Sequence, residues 1–149
     1  MNKPYVIIHT HTSIDGNIDM MDLREFEDAS RQYQELYLNA EKQQFEVQGY
    51  LNGKTSTEDN ITHYKKPELD ENAAPVPEGD YVADSDAPMY YLSIDRRGEL
   101  AFEENTYGYG DVPSHIIEVL TEQATNAFKD FLRKRYLMSS LVKIKLIMK

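Results

Sequence analysis

Apolar residues recur along this chain with two periods, which predict strands alternating with helices. Tyr5–Ile8 is rich in β-branched and aromatic residues, as expected of a buried strand. Between Leu23 and Tyr37 the apolar positions are spaced by three or four residues, as on one face of a helix. The whole pattern predicts strands near residues 4–12, 45–51, 89–94 and 115–120, and helices near 22–38 and 121–134.

Strands that alternate with helices favour a mostly parallel sheet covered on both faces, so we expect a three-layer α-β-α fold of the α/β class. Residues 65–88 hold four of the six prolines among many carboxylates, which predicts a long surface connection. Residues 103–105 and the glycine–tyrosine run at 107–110 together predict a mobile loop that could contact substrate. We place one domain at residues 1–135 and set apart an apolar and basic tail at 136–149.

Composition and charge narrow the classes of partner. The net charge of −10 disfavours nucleic-acid binding, because a phosphate backbone would be repelled. The chain has no cysteine, which excludes disulfides and thiolate zinc sites and agrees with a reducing cytoplasm. No apolar run reaches the roughly 20 residues of a membrane span. We therefore expect a cytoplasmic protein that acts on a small molecule, with no nucleic-acid or membrane partner.

Three loops lie at the predicted carboxyl ends of strands, where open α/β sheets bind their ligands. In Ser13–Asn17, Gly16 lets backbone approach a flat ring and Asp15 offers an acceptor or a proton carrier. An ordinary turn explains the same residues. His9 and His11 could hold a metal, but no third ligand follows at a suitable spacing, and histidines that are buried or hydrogen-bonded explain the pair better.

The second and third loops have the chemistry of anion sites. Residues 52–58 combine a glycine before a helix start, the charge of Lys54, and the hydroxyls of Thr55 and Ser56. Residues 93–98 place Arg96 beside a second arginine on a turn, and guanidinium suits the 2′-phosphate of NADP. A capped helix start with a solvated lysine and a hairpin with solvated arginines are the alternatives.

Read together, these loops resemble the reductase domain of bacterial riboflavin biosynthesis proteins, which shares its fold with dihydrofolate reductase. A Ser-x-Asp-Gly turn is matched by Ser13, Asp15 and Gly16, and a basic turn by Asp95, Arg96 and Gly98. A Gly-Arg-x-Thr-x-Glu segment is matched at 53–58, with Lys54 and Ser56 as departures. The resemblance covers residues 4–134.

This resemblance implies hydride transfer from NADPH to a small pyrimidine-like, pterin-like or sugar-derived substrate. Asp15 would be the catalytic residue. The implied cofactor contacts are Gly16, Gly53, Lys54, Thr55, Ser56, Asp95 and Arg96. The resemblance to this family also implies a homodimer.

The resemblance ends near Arg133, where the character of the sequence changes. From Arg133 onward there are six basic residues and no acidic one, in a chain otherwise rich in carboxylates. The family continues with a strand, a Gly-Gly loop and a final pair of strands, which this tail does not match. With one choice of codons, a one-base frameshift from Lys134 gives a segment like the missing strand. We therefore expect a reductase domain that is incomplete at its C-terminus, and whose activity is impaired.

Two other functions are compatible with the sequence. A non-catalytic nucleotide-binding or dimerising module could use the same fold, with the apolar tail as its contact surface. A metal-dependent hydrolase would need His9 and His11 together with acidic loops. In the reductase reading, residues 141–148 imitate the family's central strand imperfectly, because Lys143 and Lys145 could not be buried inside it. We therefore expect an edge position, an intermolecular pairing or an unpacked tail, with Lys143 and Lys145 facing solvent.

Overall fold

The computed structural model describes residues 5–18, 24–39, 41–109, 112–135 and 140–143. The chain divides into two compact units, Met1–Glu46 and Val47–Lys149. Among the described residues, no helix combines the length and the apolar character needed to cross a bilayer. The predicted division between residues 135 and 136 borders on residues outside the described ranges, and it stays a prediction.

The first unit contains helix α1, Arg24–Leu38, close to the predicted range. Its inner face meets the histidines that precede it. His9 stacks on the ring of Tyr33 with centroids 4.0 Å apart, and His11 stacks on Phe26 at 4.6 Å. The Tyr33 hydroxyl also donates to the carbonyl oxygen of His9 at 2.6 Å. Both histidines therefore have packing roles in an aromatic stack.

The strand predicted at 4–12 is wrong for the residues that the structure describes. Residues 5–12 have no regular secondary structure, and Tyr5 and Ile8 are 91% and 90% exposed. A strand needs a neighbour for its backbone hydrogen bonds, and the described part of this unit contains no strand to pair with. The apolar composition of Tyr5–Ile8 is thus not sufficient for a strand.

The second unit is built on a mixed sheet of five strands: β1, Gly49–Gly53; β2, Tyr90–Ile94; β3, Thr106–Tyr109; β4, Val112–Leu120; and β5, Ser140–Lys143. Strands β1, β2 and β4 are parallel neighbours in that order. The far edge of β4 is shared, antiparallel with β3 along its first half and parallel with β5 along its second. The α/β class and the mostly parallel sheet are confirmed, whereas the dihydrofolate-reductase-like identity and the three-layer arrangement stay predictions.

Strand β5 carries the first described residues of the tail. It pairs with β4 alone among the described strands, in register from Ile117 and Ser140 to Leu120 and Lys143. This agrees with the expected edge position. The predicted solvent exposure of Lys143 and Lys145 lies outside what the structure describes.

Two further predictions need correction, the start of β1 and the loop in which β3 lies. Strand β1 begins at Gly49 and not at residue 45, because its pairing partner β2 begins at Tyr90, the residue in register with Gly49. Residues 106–109, expected within a mobile loop, form β3 instead, and their backbone pairs with the start of β4. The long connection at 65–88 has no helix and no strand beyond an isolated bridge at Tyr81, as predicted.

The helix predicted at 121–134 starts later. Helix α3 spans Asn126–Arg135. Its cap is the Thr125 hydroxyl, which accepts a hydrogen bond from the backbone N–H of Phe128 at 3.2 Å. Thr121, the first residue of the predicted helix, donates its hydroxyl to the carbonyl oxygen of Arg96 at 2.7 Å and so ties two turns together.

The core lies between the sheet and α3. Its fully buried members include Leu100, Ile116, Leu120, Phe128 and Leu132. Strand β4 is buried along most of its length, as expected of a strand with neighbours on both edges and a helix against one face. The turn after β2 reaches this core through Gly98 and Leu100.

Gly98 is required at its position for two reasons. Its φ of +75° is left-handed, and a Cβ there would lie 2.3 Å from a ring carbon of Phe128. We expect Gly98→Ala to lower the free energy of unfolding by about 2 kcal/mol or more. Gly53→Ala is the matched control, because a Cβ there has open space and φ is −78°. Urea denaturation should separate the two, and equal losses would contradict this role of Gly98.

Candidate functional site

Three parallel strands end at one edge of the sheet. Strands β1, β2 and β4 run in the same direction and end at Gly53, Ile94 and Leu120. The chain then enters helix α2, Lys54–Thr57, after β1 and the turn at Asp95 after β2. This carboxyl edge is where an open α/β sheet places its ligands.

Asp95 organises the turn after β2. Its side chain is fully buried, and its carboxylate accepts three backbone N–H groups: those of Gly98 at 3.1 Å, Glu99 at 2.6 Å and Leu100 at 2.8 Å. Hydrogen bonds to a charged group are stronger than neutral ones. This packing role accounts for Asp95 without a ligand, and its predicted contact with the cofactor stays untested.

Lys54 opens α2 and meets two carboxylates. Its ammonium donates to Glu99 Oε2 at 2.5 Å and lies 3.4 Å from Glu58 Oε1. The hydrogen bond to Glu99 raises the pKa of Lys54 and, reciprocally, holds the pKa of Glu99 below its ordinary value. Lys54 therefore stays charged, but its charge is already partly neutralised.

An open cavity of about 220 Å³ brings the predicted basic residues together. It is lined by Lys54, Asp95, Arg96, Arg97 and Glu99. Arg96 and Arg97 are exposed at its mouth. Three cations around one opening suit an anion the size of a phosphate group, whereas a whole dinucleotide would extend beyond it. The Glu99 carboxylate opposes such an anion and would have to turn away from it.

Among the other residues of the loop at 52–58, Thr57 has a structural role, and Thr55 and Ser56 are exposed. Thr57 is buried, and its hydroxyl lies 3.1 Å from the Gly53 carbonyl, 2.9 Å from the Tyr91 hydroxyl and 2.8 Å from Ser93 Oγ. This cluster anchors α2 on the sheet. Thr55 and Ser56 are exposed on the first turns of α2. Both are therefore accessible at the carboxyl edge.

Asp15 and Gly16 belong to the first unit. They form the predicted turn, in which Gly16 has a φ of +83° and its N–H donates to the Ser13 carbonyl at 2.9 Å. The Ser13 hydroxyl donates to the Asp15 carboxylate, and this hydrogen bond is the main cause of a lowered pKa for Asp15. A lowered pKa favours the role of acceptor over that of proton donor. The catalytic assignment of Asp15 stays a prediction.

Glu118 is a buried carboxyl group in the middle of β4. It is 1% exposed, in register with Ser93 of β2, and neither carboxyl oxygen has a hydrogen-bond partner among the described residues. Burial, and secondarily the charge of Asp95, raises the pKa of Glu118 well above its ordinary value. Burial therefore favours the neutral form of Glu118 inside the sheet.

Sequence reasoning missed two members of this region. Glu118 had a signal, since it is the one acidic residue in the apolar run 115–120. Glu99 had none, because only the folded turn brings its carboxylate to Lys54. No group of three histidine or carboxylate ligands suitable for a metal occurs in the part of the chain that the structure describes.

Comparison with protein-family models, with curated proteins and with solved structures finds no match to this chain. The site must therefore be interpreted from its own chemistry.

The Asp95 turn gives a stability prediction. Asp95→Asn replaces two acceptor oxygens by one and turns an NH₂ group toward a backbone N–H, so we expect a loss of about 2–3 kcal/mol in the free energy of unfolding. Asp84→Asn is the control, because the Asp84 carboxylate accepts only one backbone N–H, from Asp86, on an exposed loop. The control should change stability by less than about 0.5 kcal/mol. Equal effects in chemical denaturation would refute the role given to Asp95.

Glu118 gives a prediction about pH. Its folded-state pKa lies above the value of 4.5 expected in the unfolded chain. The contribution of Glu118 to stability is therefore fully present below that pH and is lost as pH rises through the folded-state pKa. Glu118→Leu removes this group. The stability gained by the variant should therefore grow with pH by up to about 1.4 kcal/mol per unit.

Thermal melts of both proteins from acidic to mildly alkaline pH measure this difference. Glu68→Leu, at an exposed position, is the control and should show no such slope. A pH-independent difference between Glu118→Leu and the parent chain would mean that Glu118 does not titrate as described.

Proposed function

We propose that this chain is a reductase-family protein that binds NADPH at the carboxyl edge of its sheet and serves hydride transfer to a small ring or sugar-derived carbonyl. The observation that carries this proposal is the convergence of Lys54, Arg96 and Arg97 on one cavity. These residues come from loops after neighbouring parallel strands. The 2′-phosphate is the group that distinguishes NADPH from NADH, and planar guanidinium groups bind it well.

The chemistry of the pocket fits recognition of a phosphate better than a catalytic step. Bound NADPH would supply the hydride. This chain's own residues would hold its phosphate through Arg96 and Arg97, while Lys54 exchanges Glu99 for a phosphate oxygen. The three hydrogen bonds to the Asp95 carboxylate hold the backbone of the turn that carries the two arginines.

A second candidate is a nucleotide-binding module without reductase activity. The lowered pKa of Asp15 favours it, since reduction of a carbonyl also needs a proton and Asp15 is the proposed carrier. NADPH binding without consumption of NADPH in the presence of carbonyl substrates would support this candidate over the reductase. The expected homodimer stays a prediction under both.

The test is a fluorescence titration of the chain with NADPH and with NADH. We expect NADPH to bind at least about tenfold more tightly, and Arg96→Gln to remove that preference while leaving NADH affinity unchanged. Arg31→Gln is the matched control, because Arg31 forms an exposed ion pair with Asp28 on α1. Equal affinity for the two cofactors, or an equal loss in the control, would contradict the proposal.

A further inference from the structure

A second cavity lies at the carboxyl end of β4. It measures about 160 Å³, and its floor is formed by Leu120 and Thr121 at the end of the strand. Residues 76–79 of the proline-rich connection form its roof, and α3 contributes Asn126, Lys129 and Arg133 to its wall. None of these residues lines the cavity at Lys54 and Arg96.

The roof is held in place by one side chain of α3. The Asn126 amide donates to the carbonyl oxygens of Ala73 at 3.1 Å and Ala74 at 3.0 Å. Its oxygen accepts from the backbone N–H of Val76 at 2.8 Å. These bonds use both N–H donors of Asn126 and one lone pair of its oxygen, so its main role is to shape the cavity.

Arg133 brings a guanidinium group to the wall of this cavity. Its guanidinium carbon lies 4.9 Å from the centroid of the Tyr81 ring, which holds the group in place. Nη2 makes one long hydrogen bond, to the Pro77 carbonyl at 3.4 Å, and the buried Nε has no acceptor among the described residues. Because the buried Nε is closed to solvent, the donors left for a ligand are those of the two Nη atoms.

Lys129 adds a second positive charge to the same cavity. No described carboxylate oxygen lies within 4.0 Å of the charged groups of Lys129 or Arg133, although the chain carries 26 acidic residues. The described ion pairs of the other basic residues occur elsewhere on the surface. Two cations without carboxylate partners on one enclosed wall favour an anionic occupant.

We propose that this cavity binds one small oxyanion, either a free phosphate or carboxylate or the equivalent end of a larger metabolite. Arg133 provides the planar fork for two oxygens, and Lys129 adds a point charge. The volume is below the roughly 300–1,000 Å³ of pockets for drug-sized ligands, which restricts the buried part of the ligand to one such group. The site stands on these residues alone and does not depend on NADPH binding.

Glu78 supplies an internal check on this assignment. It lines the cavity, and its side chain is exposed at the rim. Its negative charge would repel an entering anion. Glu78→Gln should therefore strengthen oxyanion binding, whereas a site for a cation or a neutral ligand would be weakened or unchanged.

The experiment is an NMR titration with inorganic phosphate at constant ionic strength. We expect saturable shifts at residues around the cavity, and at least about tenfold weaker binding in both Arg133→Met and Lys129→Met. Lys134→Met is the matched control, because Lys134 pairs with Asp130 at 2.8 Å and does not line the cavity. A melting curve of each variant checks that it is folded, and Lys129→Met keeps the test valid if loss of Arg133 unfolds the chain.

Parallel titrations with acetate and with glycerol phosphate distinguish a carboxylate, a free phosphate and a phosphate ester. Tighter binding of any one, lost in the two cavity variants, supports the proposal and names the ligand class. Absence of saturable binding by all three, or an equal loss in Lys134→Met, overturns it.

Discussion

The buried Asp95 carboxylate, with its three backbone N–H donors, is the interaction on which the second unit depends most. It folds the chain sharply after β2, so that Gly98 packs on Phe128 and Leu100 enters the core. The same turn presents Arg96 and Arg97 outward and brings Glu99 to Lys54. A single carboxylate thus connects the packing of the core with the charges at the sheet edge.

That carboxylate also has an electrostatic consequence inside the sheet. A second buried acid, Glu118, lies close enough for the charge of Asp95 to raise its pKa further than burial alone would. The two buried carboxyl groups are stabilised in different ways. Asp95 is surrounded by donors, whereas Glu118 has no donors among the described residues, and burial favours its neutral form.

Much of this fold could be predicted from periodicity, because β2, β4 and α1 have strong apolar patterns. The prediction of a strand at 4–12 is wrong for the described residues, since a strand depends on a neighbour and a run such as Tyr5–Ile8 does not specify one. The start of α3 is predicted too early because Thr121 and Thr125 are both good caps, and only the contact of Thr121 with Arg96 decides between them.

The convergence of Lys54 and Arg96 follows from the parallel order of the strands, but the role of Asp95 depends on the folded turn. The cavity at Arg133 joins residues about 50 positions apart, which no local pattern reveals.

Amide hydrogen exchange at Gly98, Glu99 and Leu100 is the most direct test that the Asp95 turn supports both the core and the basic edge. If the carboxylate holds all three N–H groups, they should exchange together and be protected at least about 100-fold relative to an unstructured loop. Exchange of Gly98 and Glu99 at the rates of an exposed loop, while the amides of β2 stay protected, would contradict this account.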